Sequence, residues 1–155
     1  MYNHGMTQFL EEKLGVALRH KGWTIAFAES CTGGLVGHRM TNIPGSSDYY
    51  LGSVTAYANE VKMRLLGVNS ETLETHGAVS EATVQEMADG IRQALDADVG
   101  VSISGIAGPG GGTAEKPVGL VWIGVSVPDH AKAKAFNFSG DRLEVKQQAA
   151  EQALL

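Results

Sequence analysis

Apolar and polar positions alternate with two different periods along this chain, and the switches between them mark helices and strands in turn. Over residues 7–21, Phe9, Leu10, Leu14, Ala17 and Leu18 recur at helical spacing and Gly22 follows as a stop, which predicts an amphipathic first helix. Residues 24–28 form an apolar run of strand length that ends at Glu29-Ser30-Cys31-Thr32-Gly33-Gly34. A short helical stretch carrying Leu35, Val36 and Met40 then stops before the turn formers Pro44-Gly45-Ser46-Ser47. Residues 52–58 predict a second strand, and Asn59 is placed to cap a helix that carries Val61, Leu65 and Leu66 and closes at Gly67. A further helical turn spans 70–76, with His76 at its carboxyl end beside Gly77. The strongest helical period follows Ser80, where Val84, Met87, Ala88, Ile91 and Leu95 share one face. Strands are predicted at 99–104, 118–127 and 132–138, and Asp141 opens a last helix.

Helices and strands alternating in this way predict an α/β fold, a three-layer α/β/α sandwich with a mixed, mostly parallel sheet. The mixture follows from Pro128-Asp129-His130-Ala131, a connection too short for a parallel crossover. The 155 residues read as one domain, 1–155, and 43% hydrophobic content against 19% charge supports a continuous core. Twelve basic and 17 acidic residues give a net charge of −5, which offers no general attraction for nucleic acid or anionic lipid. No basic-then-apolar leader and no apolar run near the roughly 18 residues of a membrane helix is present, so the expectation is a cytoplasmic protein with no membrane partner. A homo-oligomer is compatible with this reading. One cysteine excludes an internal disulfide, and the five histidines form no HxxxH or HxH pair, so no metal and no cofactor is expected.

The chemistry concentrates where strands end. A strand that stops at Ser30 and turns through Gly33-Gly34 presents a hydroxyl at the carboxyl edge of a sheet, with backbone N–H groups free for an oxyanion. The same dipeptide is also an ordinary turn into a helix. Ligands of open α/β sheets bind outside the carboxyl ends of strands, and those ends carry Ser30 to Gly34, then Tyr57-Ala58-Asn59, then Ser104-Gly105 leading into the 108–112 glycines. Successive glycine N–H groups there form either an anion nest or a surface loop; the segment fits neither the Walker pattern nor GxGxxG. Lys62 serves as a general base only if burial brings its amine toward neutrality, and Tyr57 is placed to relay the proton or hold the base. Glu29 and His76 are a second acid–base pair to be weighed. Cys31 is a rival nucleophile one residue from Ser30, and because adjacent strand residues point to opposite sides, only one of the two is expected to face a pocket.

These segments, with His76-Gly77-Ala78-Val79-Ser80, Gly105-Ile106-Ala107-Gly108-Pro109-Gly110-Gly111, Lys116-Pro117-Val118-Gly119 and Phe138-Ser139-Gly140-Asp141-Arg142, strongly resemble the CinA C-terminal domain family from about residue 7 to the end. The family includes stand-alone nicotinamide-nucleotide amidases. The resemblance implies an amidohydrolase that converts nicotinamide mononucleotide (NMN) and water to nicotinate mononucleotide and ammonia in pyridine nucleotide salvage. It implies Ser30 as nucleophile with Lys62 and Tyr57 as catalytic partners. Substrate contacts are implied from Thr32, Gly33, Gly34, Asn59, Ser104, Gly105, Gly108, Gly110, Gly111 and Arg142. One departure stands out: Lys146 occupies a place in the final helix where the family pattern leads us to expect arginine, and lysine lacks the bidentate fork that clamps phosphate. Longer relatives carry a further N-terminal domain that this sequence does not contain. The alternative from another class is a nucleotide-binding or regulatory module that keeps the pocket and does no chemistry.

Overall fold

Residues 9–155 are described by a computed structural model of the chain. Its centre is the apolar run after residue 24: β1 (Ile25–Glu29) is buried at every position. Among the described residues, α1 (Leu10–Lys21) precedes it, and α2 (Leu35–Thr41), β2 (Tyr50–Thr55), α3 (Asn59–Leu66), α4 (Ser70–His76) and α5 (Glu81–Ala94) follow. Then come β3 (Val99–Gly105), β4 (Leu120–Val127), β5 (His130–Asn137) and α6 (Arg142–Ala153).

The strands form one sheet in the order β2-β1-β3-β4-β5. β1 pairs parallel with β2 and β3, whereas β3–β4 and β4–β5 are antiparallel, so the sheet is mixed as expected. The β4–β5 connection is only Pro128-Asp129, shorter still than the sequence predicts. Alternation along β1 divides the core between two helical layers. Ile25 and Phe27 pack with Leu18 of α1, Val36 and Met40 of α2, and Val145 and Ala149 of α6. Ala26 and Ala28 face Leu66 of α3 and Met87 and Ile91 of α5. The second face is close-packed because it is built from small residues: a side chain at Gly100 or Gly124 would collide with the α5 backbone at Ala88 or Val84.

Several boundaries differ from the sequence prediction: β4 begins two residues later and β5 two residues earlier than expected, and three further differences have visible causes. The helix predicted over 7–21 begins at Leu10, and residues 7 and 8 lie outside the described ones. Phe9, at its N-cap, is 66% exposed and Ala17 is exposed, because α1 turns Glu11, Gly15 and Leu18 inward instead. Gly15 is where the Tyr49 ring enters, and Glu11 pairs with Arg39 of α2 at 2.7 Å. The second strand runs 50–55 rather than 52–58, and Asn59 is the first residue of α3 rather than its cap, a position held by Ala58. Ser80 does cap α5, its hydroxyl accepting the Thr83 N–H at 3.2 Å, and Asp141 caps α6 through a reciprocal pair of bonds with Glu144.

The Tyr49 hydroxyl is buried against α1 without a hydrogen-bond partner. A buried donor without an acceptor costs on the order of 1–3 kcal/mol, so Tyr49→Phe is expected to stabilise the fold by about 1 kcal/mol. Urea unfolding would register this as a higher midpoint at constant m-value; a lower midpoint would show that the hydroxyl is satisfied in solution.

Candidate active site

The carboxyl ends of the three parallel strands converge on one cavity of about 210 Å3. Ser30 and Cys31 reach it from the end of β1, Tyr57, Asn59 and Lys62 from the β2–α3 connection, and Ser104, Gly105 and Ala107 from the end of β3. Ala78 and Val79, between α4 and α5, and Arg142, the first residue of α6, complete the wall. The chain therefore brings together the strand ends that the glycine pattern singled out.

Ser30 is fixed by its backbone. Its N–H donates to Ile103 O at 2.9 Å, continuing the ladder with β3, and its carbonyl accepts from Gly33 N–H at 3.1 Å, closing the turn. Gly33 and Gly34 take φ of 63° and 102°, values that side chains with a Cβ rarely adopt, which is why this turn needs two glycines. Glu29 braces the same turn from below. It is fully buried, and its carboxylate accepts from Thr32 Oγ1 at 2.7 Å, Val36 N–H at 2.9 Å and Gly37 N–H at 3.0 Å. Negative charge is favoured there because the first N–H groups of a helix have no partner within it.

Lys62 lies in the first turns of α3 and is only 1% exposed. Its Nζ is 3.1 Å from Ser30 Oγ and donates to Tyr57 O at 2.9 Å. No carboxylate lies within ion-pair distance of it among the described residues. Burial therefore lowers its pKa from the ordinary lysine value, because the charged form loses water without gaining an opposite charge. Ser30 is 8% exposed, so its hydroxyl meets the amine in a place from which bulk water is largely removed.

Several expected contacts fall elsewhere. The Tyr57 ring is 63% exposed, and its hydroxyl accepts from Arg142 Nη2 at 3.3 Å; the group that holds the lysine is the tyrosine's backbone carbonyl. Thr32, Gly33 and Gly34 do not line the cavity. Thr32 is turned to Glu29, and the glycine pair shapes the backbone. Of the glycine loop, Gly108, Gly110 and Gly111 also lie off the wall, though Gly108 O accepts from Arg142 Nη1 at 2.8 Å and so ties the loop to the cavity's mouth. Asn59, Ser104, Gly105 and Arg142 do line it, with the Ser104 hydroxyl donating to Ala78 O at 2.8 Å. Lys146 stands behind the turn, its Nζ 3.8 Å from where a Gly33 side chain would begin.

Glu29 and His76 do not form a pair. The Glu29 oxygens are occupied within their own turn, whereas His76 lines a separate, open depression of about 440 Å3 over α4, where the Thr72 hydroxyl is bonded to Glu86 rather than to the imidazole. The expectation that only one of Ser30 and Cys31 faces the pocket is corrected as well. β1 ends at Glu29, so both residues belong to the turn, where strand alternation no longer applies, and both line the cavity. The thiol is pushed up to about 11, chiefly by burial, against a backbone hydrogen bond that lowers it and with a smaller rise from the charge of Glu29, so it carries almost no thiolate near neutrality. Among the described residues no three of His, Cys, Asp or Glu come together as a metal site, and no helix is long and apolar enough to cross a membrane.

Known proteins share this arrangement of chain. The model of the CinA C-terminal domain matches residues 7–155. The chain belongs to the CinA C-terminal domain family. It is 54% identical over 145 residues to a CinA-like protein of Salinibacter ruber, covering 94% of this chain and 35% of that one. A relative from Halothermothrix orenii is 56% identical over 134 residues, covering 86% of this chain and 32% of its own length. The chain thus spans about a third of the length of the curated relatives it matches. Among solved structures, a competence-damaged protein (CinA) superfamily protein from Klebsiella pneumoniae superposes with a TM-score of 0.90 at 37% identity, covering 94% of this chain and 91% of that one. The competence/damage inducible protein CihA from Agrobacterium tumefaciens gives 0.91 at 36%, covering 96% and 95%.

The raised thiol yields a direct expectation. Iodoacetamide at pH 8 should modify Cys31 at least tenfold more slowly in the folded protein than in urea, because a pKa near 11 leaves about one thiol in a thousand ionised. Equal rates in the two states, read by mass spectrometry, would contradict this picture of the thiol.

Proposed function

We propose that this domain is a cytoplasmic amidohydrolase that converts NMN and water to nicotinate mononucleotide and ammonia. Ser30 is its nucleophile and Lys62 its base. The observation that carries the reading is the 3.1 Å approach of Ser30 Oγ to a buried Lys62 amine that has no acidic partner among the described residues. A charged lysine has no lone pair to offer a hydroxyl, and burial favours the neutral form that has one. The substrate rests on the resemblance of the motifs, supported by the shape and charge of the site. A cavity of about 210 Å3 lies below the roughly 300 Å3 that encloses a whole ligand of nucleotide size, so it holds the reacting ring and leaves the remainder at the mouth. Tyr57 and Arg142 stand there, an aromatic face for the sugar or ring and a guanidinium for phosphate.

In the proposed sequence, neutral Lys62 donates one N–H to Tyr57 O and turns its lone pair to the Ser30 hydroxyl. The hydroxyl proton passes to Nζ as Oγ bonds to the carboxamide carbon, and the carbonyl electrons move onto oxygen. Gly33 N–H is committed to Ser30 O, so the oxyanion donor is the N–H of Cys31, which lines the cavity and makes no backbone hydrogen bond. The carbon–nitrogen bond breaks, and the Lys62 ammonium returns its proton to the departing amide nitrogen, giving ammonia and a nicotinoyl ester on Ser30. Water then attacks the ester, losing its proton to Lys62, and the ammonium protonates Oγ as nicotinate mononucleotide leaves.

Three outcomes are expected. Ser30→Ala abolishes ammonia release from NMN while calorimetry still detects NMN binding. Retained release in Ser30→Ala together with loss in Cys31→Ala would move the reaction to the thiol, and binding without release in the parent protein would identify a nucleotide-binding module. The rate should also rise with pH through an apparent pKa below the roughly 10.4 of free lysine, because the neutral amine does the work and accumulates as pH passes the lowered value. Lys62→Arg, which stays protonated throughout, should be nearly inactive. Turnover like the parent's in that variant would remove Lys62 from the base role.

A further inference from the structure

Two nucleophiles in consecutive positions share this cavity, and something must decide between them. The Ser30 hydroxyl and the Cys31 thiol both line the wall, and thiolates are far better nucleophiles than alcohols once formed. The side chain that spans both along the chain is Glu29, a fully buried carboxylate with no basic side chain within ion-pair distance among the described residues. All three of its hydrogen bonds go forward along the chain, to Thr32, Val36 and Gly37, so that it holds the turn from both sides of the nucleophile pair. Gly37 leaves the room for this: a Cβ there would lie 2.7 Å from Tyr50 Oη, 3.0 Å from Ser53 Oγ and 3.5 Å from Glu29 Oε2.

We propose that Glu29 is a positioning residue that selects the nucleophile, its carboxylate fixing the turn through Thr32, Val36 and Gly37 so that the Ser30 hydroxyl, and not the adjacent Cys31 thiol, meets Lys62. This rests on the Ser30–Lys62 reading of the site. The charged groups that face the thiol come from three elements. Glu29 at the end of β1 opposes thiolate formation, and Lys62 of α3 and Lys146 of α6 favour it. Burial is the largest influence and acts in the same direction as Glu29; a backbone hydrogen bond to the thiol, larger in effect than Glu29, and the two lysines act against them. Tyr50 also feels the Glu29 charge, which raises its pKa along with burial, although its hydrogen bond to Ser53 acts the other way. Removing the carboxylate's charge leaves the lysines less opposed, so the thiol becomes easier to ionise. Breaking one of its hydrogen bonds without touching the charge loosens the turn and leaves the thiol as it was.

The test separates charge from support. Glu29→Gln keeps the length of the side chain and loses its charge; Thr32→Val keeps the charge and loses one hydrogen bond. Both are expected to lower kcat for NMN by about tenfold at nearly unchanged KM, the scale of one charged hydrogen bond lost. Only Glu29→Gln is expected to speed iodoacetamide labelling of Cys31 at pH 8.5, by about threefold or more. Labelling at the parent's rate in Glu29→Gln, or equal acceleration in both variants, would overturn the proposal, the second because looser packing alone would then explain it. The labelling measurement needs no turnover, so a parent protein that releases no ammonia would end the NMN reading and leave the effect of Glu29 on the thiol to be read independently. If Glu29→Gln does not fold, a Thr32→Val enzyme with unchanged kcat overturns the positioning role.

Discussion

The Lys62 amine is held at 1% exposure without a carboxylate within ion-pair distance among the described residues, and that desolvation sets the terms for the elements around it. A buried charge with no partner is costly, and the group answers by giving up its proton more readily. Its remaining needs are a proton acceptor and a hydroxyl, which arrive from separate parts of the chain. Tyr57 supplies a backbone carbonyl just before α3, and Ser30 supplies the hydroxyl at the end of β1. An aspartate or glutamate in either place would have stabilised the ammonium and made the amine useless as a base. What looks like poor electrostatic design for stability is the arrangement a general base requires.

Holding that contact at 3.1 Å depends on a hierarchy of backbone devices. The parallel pairing of β1 with β2 and β3 puts three strand ends side by side. Continuation of the ladder through Ser30 N–H to Ile103 O carries Ser30 one residue past the strand without loss of register. Two residues at positive φ then reverse the chain into α2, and Glu29 occupies the unpaired N–H groups that this reversal creates. Each device works on the main chain, so the position of Ser30 does not rest on the packing of its own small side chain.

How much of this was legible in the sequence differs by the kind of signal. The α5 stripe and its Ser80 cap were readable because burial and capping demand particular residue types at fixed spacing. The mixed sheet followed from a connection too short to cross over. β2 was displaced because an edge strand that is only half-buried lacks a clean alternation, and the apolar Ala56 and Ala58 extend the apparent run beyond its end. The site's residues Ser30 and Lys62 were legible as chemistry, whereas the roles of Tyr57 and Gly33-Gly34 were not. Sequence names a side chain, but at Tyr57 the group that touches the lysine is a carbonyl that any residue would carry. A turn that binds substrate and a turn that shapes the backbone likewise call for the same glycines.

The mouth of the cavity shows how the same reasoning extends from the chemistry to access. Arg142 is set at the first turn of α6 by the Asp141–Glu144 capping box, so its guanidinium is directed from a fixed helix end. Its two terminal nitrogens reach different elements, Gly108 O in the glycine loop and the Tyr57 hydroxyl beyond β2. Both partners are neutral acceptors, and an anionic group is a stronger one for the same donors. An arriving phosphate would therefore compete for Arg142 against the two contacts that hold the loop and the ring in place. An anion bound at the mouth would thereby be coupled through one side chain to the positions of the groups that flank the entrance, while the Ser30–Lys62 pair beneath is held by separate backbone contacts.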